Sequence, residues 1–320
     1  MPHEPETTRR RALLAGGLSA SAAAAALWLT RRDRIAAPRT PERITRNLAV
    51  PPDPALPELA VVRGGTPADA VRNAVAQLGG MRRFVAREDV VLVKPNMAWD
   101  RTPEQAANTS PAVVAEIVRL SLAAGARRVI VTDVAINEAA RAFDRSGIAA
   151  AARAAGASVV LPADAGFREV DLGGRVLREW PVAEPVLRAD KIINVPAAKH
   201  HSLTGVTLGI KNLYGILGGE RRRLHQNIDE CLADLAAFLR PTLTILDAWR
   251  VLLRNGPSGG NLADVSLTRT ILASTDPVAV DAYAAAAFWN LAGVPHLERA
   301  AARGLGSADP TNVRTRLINL

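Results

Sequence analysis

The chain has 320 residues, 48% of them hydrophobic and 22% charged, enough to bury a large core and too apolar for a wholly disordered polymer. A single cysteine, Cys231, excludes an intrachain disulfide and any iron–sulfur or all-cysteine zinc centre built from this chain alone. The net charge of +9 includes six arginines within residues 1–37, and the other basic residues are scattered among few aromatics, which argues against nucleic-acid binding.

At the N-terminus, Arg9-Arg10-Arg11 precede an apolar, Ala-rich stretch from Ala12 to Leu29, the basic and hydrophobic regions of an export signal. The paired arginines and modest hydrophobicity resemble a twin-arginine signal over residues 1–37. That implies passage through the twin-arginine translocase and an exported, periplasmic or otherwise extracytoplasmic location. Cleavage near Ala36-Ala37 would release the protein. Retention would leave residues 12–29 as an anchor, the only membrane contact expected of the chain. Six prolines between Pro38 and Pro57 predict an extended linker over residues 38–57.

From Leu59 onward, short apolar runs alternate with Ala-rich helical stretches. Strands are predicted at Leu59–Val62, Val90–Val93, Val129–Thr132, Ser158–Leu161, Lys191–Val195, Leu243–Leu246 and Thr270–Ala273. Helices are predicted at Pro67–Leu78 with Thr66 as N-cap, Pro111–Ala124, Gly147–Ala155, Asp229–Leu239, Pro277–Trp289 and His296–Arg303. Arg168–Trp180, with Gly173-Gly174 between two alternating runs, reads as an inserted β-hairpin. Strands apolar on both faces and separated by helices predict a single α/β domain over residues 58–320, a mainly parallel sheet with helices on both faces.

Ligands of such sheets bind beyond the carboxyl ends of the strands, and polar chemistry gathers there: Lys94 and Asn96, Asp133, Asn194 with Lys199-His200-His201, Asp247, and Ser274 with Asp276. Of 40 basic residues only four are lysine, namely Lys94, Lys191, Lys199 and Lys211. Where arginine is the default surface cation, a lysine marks a place that needs a compact ammonium with a shiftable pKa. The segment from Asn194 to Asp229 adds three histidines, Tyr214 and five glycines, a composition suited to holding an anion. It lacks the spacing of a nucleotide-binding phosphate loop, and no glycine fingerprint follows the first strand. His201 and His225 with Asp247 could also ligate a metal ion, although no metalloenzyme spacing is present. The loop Asn255–Asn261 reads as a connection or as a flap over the site.

The runs Val91–Asn96, Lys191–Gly215, Asp247, Gly256-Pro257 with Gly259, and Ser274–Asp281 resemble, in that order, the domain-of-unknown-function family 362. Many members carry a cysteine-rich ferredoxin module, which this chain lacks, so the resemblance lends no iron–sulfur cluster. The family's Lys-Thr-His motif is Lys199-His200-His201 here, which favours His201 over His200. A more distant resemblance, carried by Asp190–Ile193, His201 and Lys211, is to the N-terminal part of the lactate racemases, which is similar in holding a nickel-pincer nucleotide through lysine and histidine. The expected site has Lys199, His201 and Lys211 as catalytic groups and Lys94, Asn96, Asn212 and Gly215 as cofactor-binding groups, with the cofactor unidentified. The expected function is binding of an anionic small molecule or cofactor by an exported enzyme, or by a non-catalytic periplasmic binding or assembly protein.

Overall fold

The computed structural model describes residues 41–320, and Glu42–Leu320 form one compact unit. The expected signal over 1–37 lies outside the described residues. Ten strands build the central sheet: β1 Leu59–Arg63, β2 Val90–Pro95, β3 Arg128–Val131, β4 Ser158–Val159, β5 Lys191–Val195, β6 Ala197–His201, β7 Gly205–Thr207, β8 Leu243–Leu252, β9 Val265–Ser274 and β10 Thr315–Asn319. The order across the sheet is β10-β1-β9-β8-β5-β2-β3-β4, and the β6–β7 hairpin joins it through β8. Neighbours along this path pair in parallel except at β9, which is antiparallel to both β1 and β8.

The period of two along each strand divides the core into two layers. Leu59 and Val61 of β1, Leu92 of β2 and Leu246 of β8 face one layer. Ala60, Val62, Val91, Val93 and Ile245, from the same strands, face the other. Helices Ile228–Phe238, Pro277–Trp289 and Pro295–Ala301 close the first layer; Pro67–Gln77, Pro111–Ala124 and Ile148–Ala154 close the second. Each fully buried Val, Leu or Ile contributes roughly 1.5–3 kcal/mol, so both layers are needed to offset the ordering of the chain. The fold is therefore the expected mainly parallel sheet with helices on both faces. The inserted hairpin pairs Phe167–Asp171 with Glu179–Ala183.

Two expectations change. The stretch read as a linker is docked from Glu42 onward: Arg46–Asn47 pair in parallel with Leu239–Arg240, and the Ile44 N–H donates to the Asp171 carbonyl at 3.1 Å. Proline richness forbids a central strand but not a short edge pairing. The second change concerns direction. Because β8 and β9 are joined as a hairpin, Ser274 ends up beside Leu59 and Thr244, at the amino-terminal edge of the parallel strands. Asp276 there accepts from the Val278 and Ala279 N–H groups as the N-cap of Pro277–Trp289. An apolar run such as Thr270–Ala273 carries no mark of its direction, so these two residues do not belong to the row of polar strand ends.

Candidate functional site

At the carboxyl edge, β2 delivers Lys94 and, just beyond it, Asn96; the connection after β3 delivers Asp133; β6 carries Lys199 and His201; and the helical turn Gly209–Asn212 after β7 carries Lys211 and Asn212. With Trp99, Thr207, Tyr214, Gly215, Arg221 and His225, these residues line a cavity of about 790 Å³.

Its floor is a closed polar network. The Lys94 ammonium sits 2.6 Å from Asp133 Oδ1 and donates to the Pro95 carbonyl and to Asn212 Oδ1, at 2.9 and 3.1 Å. Asp133 Oδ2 accepts from the Met97 N–H at 2.7 Å. Asn96 Nδ2 donates to Asn212 Oδ1 at 3.1 Å, and Asn96 is held in turn by Thr109, whose hydroxyl accepts from its N–H and donates to the Val195 carbonyl. Burial pulls the Lys94 pKa down while Asp133 opposes the shift. A Cβ at Gly215 would stand 1.9 Å from Asp133 Oδ1 and 2.7 Å from Lys94 Nζ, so only glycine lets this turn cross the ion pair.

The turn that presents Lys211 and Asn212 is clamped from below. Asp281, fully buried in Pro277–Trp289, accepts from the Gly209 and Ile210 N–H groups at 2.6 and 2.8 Å. Asn194 donates to the Gly209 carbonyl at 2.9 Å and accepts from Asn212 Nδ2 at 2.9 Å. Burial raises the Asp281 pKa to about 7, with the two N–H groups pulling the other way.

The three cavity lysines have different company. Lys199 donates to Asn96 Oδ1 at 3.2 Å and to the Ala107 carbonyl, and lies 5.7 Å from the centre of the Trp99 ring. Burial, followed by the charges of Lys211 and Lys94, holds its pKa well below the usual lysine value. Lys211 is 8% exposed, and among the described residues its amine meets no carboxylate and no hydrogen-bond acceptor, only the face of Tyr214 at 4.9 Å. Its pKa is lowered to about 8, by burial first and then by Arg221. Arg221 forks onto the Val134 and Ala135 carbonyls at 2.9 and 2.8 Å, and its guanidinium lies 5.5 Å from the Tyr214 ring centre. Tyr214 donates its hydroxyl to the Arg221 carbonyl, and His225 stacks on it at 5.9 Å between ring centres.

His201 Nδ1 accepts from the Leu203 and Thr204 N–H groups at 3.1 and 3.3 Å, so the proton of the neutral ring resides on Nε2. Burial and then Lys211 lower its pKa to about 3. His201 is thus a neutral donor rather than a base. Metal ligation by His201 would need the lone pair of the remaining nitrogen, where this arrangement places the proton. His200 accepts from the Gly256 N–H at 3.2 Å and does not line the cavity.

Asp247 also departs from expectation. It is buried off the cavity and accepts from the Ser110 and Trp249 N–H groups at 2.6 and 2.9 Å, and burial raises its pKa to about 6. His201, His225 and Asp247 are not brought together, and among the described residues no group of three His, Cys, Asp or Glu side chains converges to hold a metal ion. The loop Asn255–Asn261 contributes Pro257 to the rim and is tied down, since Arg101 donates to the Ser258 carbonyl and Gln105 to the Gly260 carbonyl.

Residues 91–286 match the family model described as Domain of unknown function (DUF362). The chain belongs to this family. A thylakoid-associated protein of Synechocystis sp. is 29% identical over 226 residues, covering 66% of this chain and 67% of that protein. A lactate racemase apoprotein from Thermoanaerobacterium thermosaccharolyticum has 12% identity and a TM-score of 0.40, covering 76% of this chain; the match spans 61% of the racemase chain. The DUF362 match begins within β2 and ends within Pro277–Trp289, so it encloses the whole floor, Lys211 and the Asp281 clamp. Sequence reasoning missed Trp99 and Thr207, whose letters carry no spacing signal, and gave Asp281 no role although it closes the run Ser274–Asp281.

Proposed function

We propose that this DUF362 protein is exported and that its cavity takes up an anionic small molecule, or the anionic group of a cofactor, for an enzymatic reaction. One observation carries the reading: five basic side chains line the cavity against two carboxylates, Asp133 and Glu220, and Asp133 is already engaged by Lys94. A low-dielectric cavity with excess positive charge favours an anion that completes the pairing. Further donors support it, namely the His201 Nε2–H and the Thr207 hydroxyl, which is buried without a partner among the described residues. In this reading Lys94, Asn96, Asn212 and Gly215 form the rigid floor, Lys199 balances charge, and Lys211 and His201 meet the ligand.

Export rests on the twin-arginine signal in the sequence, and a relative described as thylakoid-associated is compatible with an extracytoplasmic site of action. Among the described residues no helix is long and apolar enough to cross a membrane. The test is calorimetric titration of the full chain with oxalate, acetate and inorganic phosphate at low ionic strength. At least one should bind, with affinity falling tenfold or more in Lys199→Met and Lys211→Met. Unchanged affinity in both variants would overturn the site assignment. Native mass spectrometry of protein exported by its own host would show whether an anion travels with it.

A further inference from the structure

The three lysines of the cavity are not equivalent, and the difference concerns which amine is free to react. Lys94 is locked in an ion pair and two hydrogen bonds, and Lys199 donates to two acceptors. Lys211 is more than nine-tenths buried and lines the cavity, yet nothing among the described residues neutralises or hydrogen-bonds its amine. Its neighbours are the Tyr214 face and the Arg221 guanidinium, and among the described residues no carboxylate stands close enough to pair with it. A buried ammonium in such company is costly, and the chain can relieve the cost by releasing the proton.

We propose that Lys211 is an imine-forming amine and that the anion the cavity accepts is an oxo acid, a carboxylate bearing an aldehyde or ketone. The proposal rests on the anion-binding reading above and narrows its substrate class. With a pKa of about 8, about one Lys211 in ten is the neutral nucleophile at pH 7, against fewer than about one in a thousand for a solvated lysine. The remaining cations and donors, chiefly Arg221, Thr207 and His201, suit the carboxylate and the carbonyl oxygen of such a molecule. In the reaction the Nζ lone pair forms a bond to the carbonyl carbon as the C=O π pair moves to oxygen. One proton leaves nitrogen and one reaches oxygen through water, giving a carbinolamine. Loss of that oxygen as water leaves the imine, with no change of oxidation state.

The chain contains only four lysines, so an adduct can be mapped without ambiguity. The experiment incubates the full chain with glyoxylate and sodium cyanoborohydride, which reduces an imine to a stable secondary amine, and locates the product by peptide mass spectrometry. A parallel calorimetric titration uses oxalate, which has the carboxylates and no electrophilic aldehyde. The expected result is labelling of Lys211 at least tenfold above Lys94, Lys191 and Lys199, blocked by oxalate, absent in Lys211→Met, and accelerating with pH to a midpoint about 8. Oxalate binding with no adduct, or with label on Lys199 or spread over all four lysines, would overturn the imine and leave the anion site standing. Label that oxalate does not block would also overturn it. Failure of labelling together with failure of oxalate, acetate and phosphate to bind would remove the anion-binding reading together with the imine.

Discussion

The floor of the cavity and its wall use charge in opposite ways. On the floor, Lys94 and Asp133 are both almost fully buried and 2.6 Å apart, and the amides of Asn96 and Asn212 complete the network. On the wall, Lys211 and Arg221 stand against an aromatic ring, and among the described residues neither forms an ion pair with a carboxylate. A self-satisfied network fixes geometry and has little left to offer a ligand, whereas an unpaired cation in a shielded place is held ready for one. In the proposed function the floor is the structural half of the site and the wall its chemical half.

The largest expected effect comes from opening the floor. Asp133→Asn leaves the Lys94 ammonium buried without its counterion and should lower stability by about 3–5 kcal/mol in urea unfolding, while the double variant Asp133→Leu with Lys94→Met recovers most of the loss. A loss no greater than that of a surface substitution would mean that floor and wall do not differ as described. Next, Asp281→Asn removes one of the two acceptors beneath the Gly209–Asn212 turn and should cost about 1–3 kcal/mol. The same variant should also weaken oxalate binding, because the loosened turn carries Lys211.

Wall substitutions should run the other way. Lys211→Met removes an unpaired buried cation and should raise stability at pH 7 by about 1–2 kcal/mol. The folded pKa of about 8 lies below the unfolded value of 10.5, so the unfolded chain binds more protons between the two. Wild-type stability therefore gains from this group as pH rises through that window, and the advantage of the variant should shrink there in paired melting curves. The smallest effect is expected of His201→Gln, under about 1 kcal/mol at neutral pH. With the folded pKa at about 3, His201 makes the wild type lose stability as pH falls below 6.5, and the variant should lack that share of the acid slope.

Much of this contrast could be read from the chain. Apolar runs placed β1, β2, β5 and Pro277–Trp289 within a residue or two; the rule that ligands lie beyond parallel strand ends picked out Lys94, Asn96, Lys199 and His201, and the glycine-rich segment after β5 added Lys211 and Asn212, all of which line one cavity. The scarcity of lysine pointed to the same positions. What escaped was direction and partnership. Asp247 and Asp133 are the same letter after similar runs, yet one accepts from the backbone of Ser110 and Trp249 while the other meets an ammonium. Whether β9 runs with its neighbours or against them is decided by the hairpin with β8, and Trp99 joins the site only because its loop folds over Lys199.

The bond between Lys94 and Asn212 spans 118 positions of the chain, and that between Lys199 and Asn96 spans 103. Contacts so distant in sequence close only after the intervening helices have docked, and they belong to the slow, late part of folding. During synthesis the lysine of β2 therefore waits for more than a third of the protein to appear before its cavity exists. The export proposed above, by a route for finished molecules, would fit such a chain, because a half-made site would have neither a floor nor a wall to hold the proposed ligand.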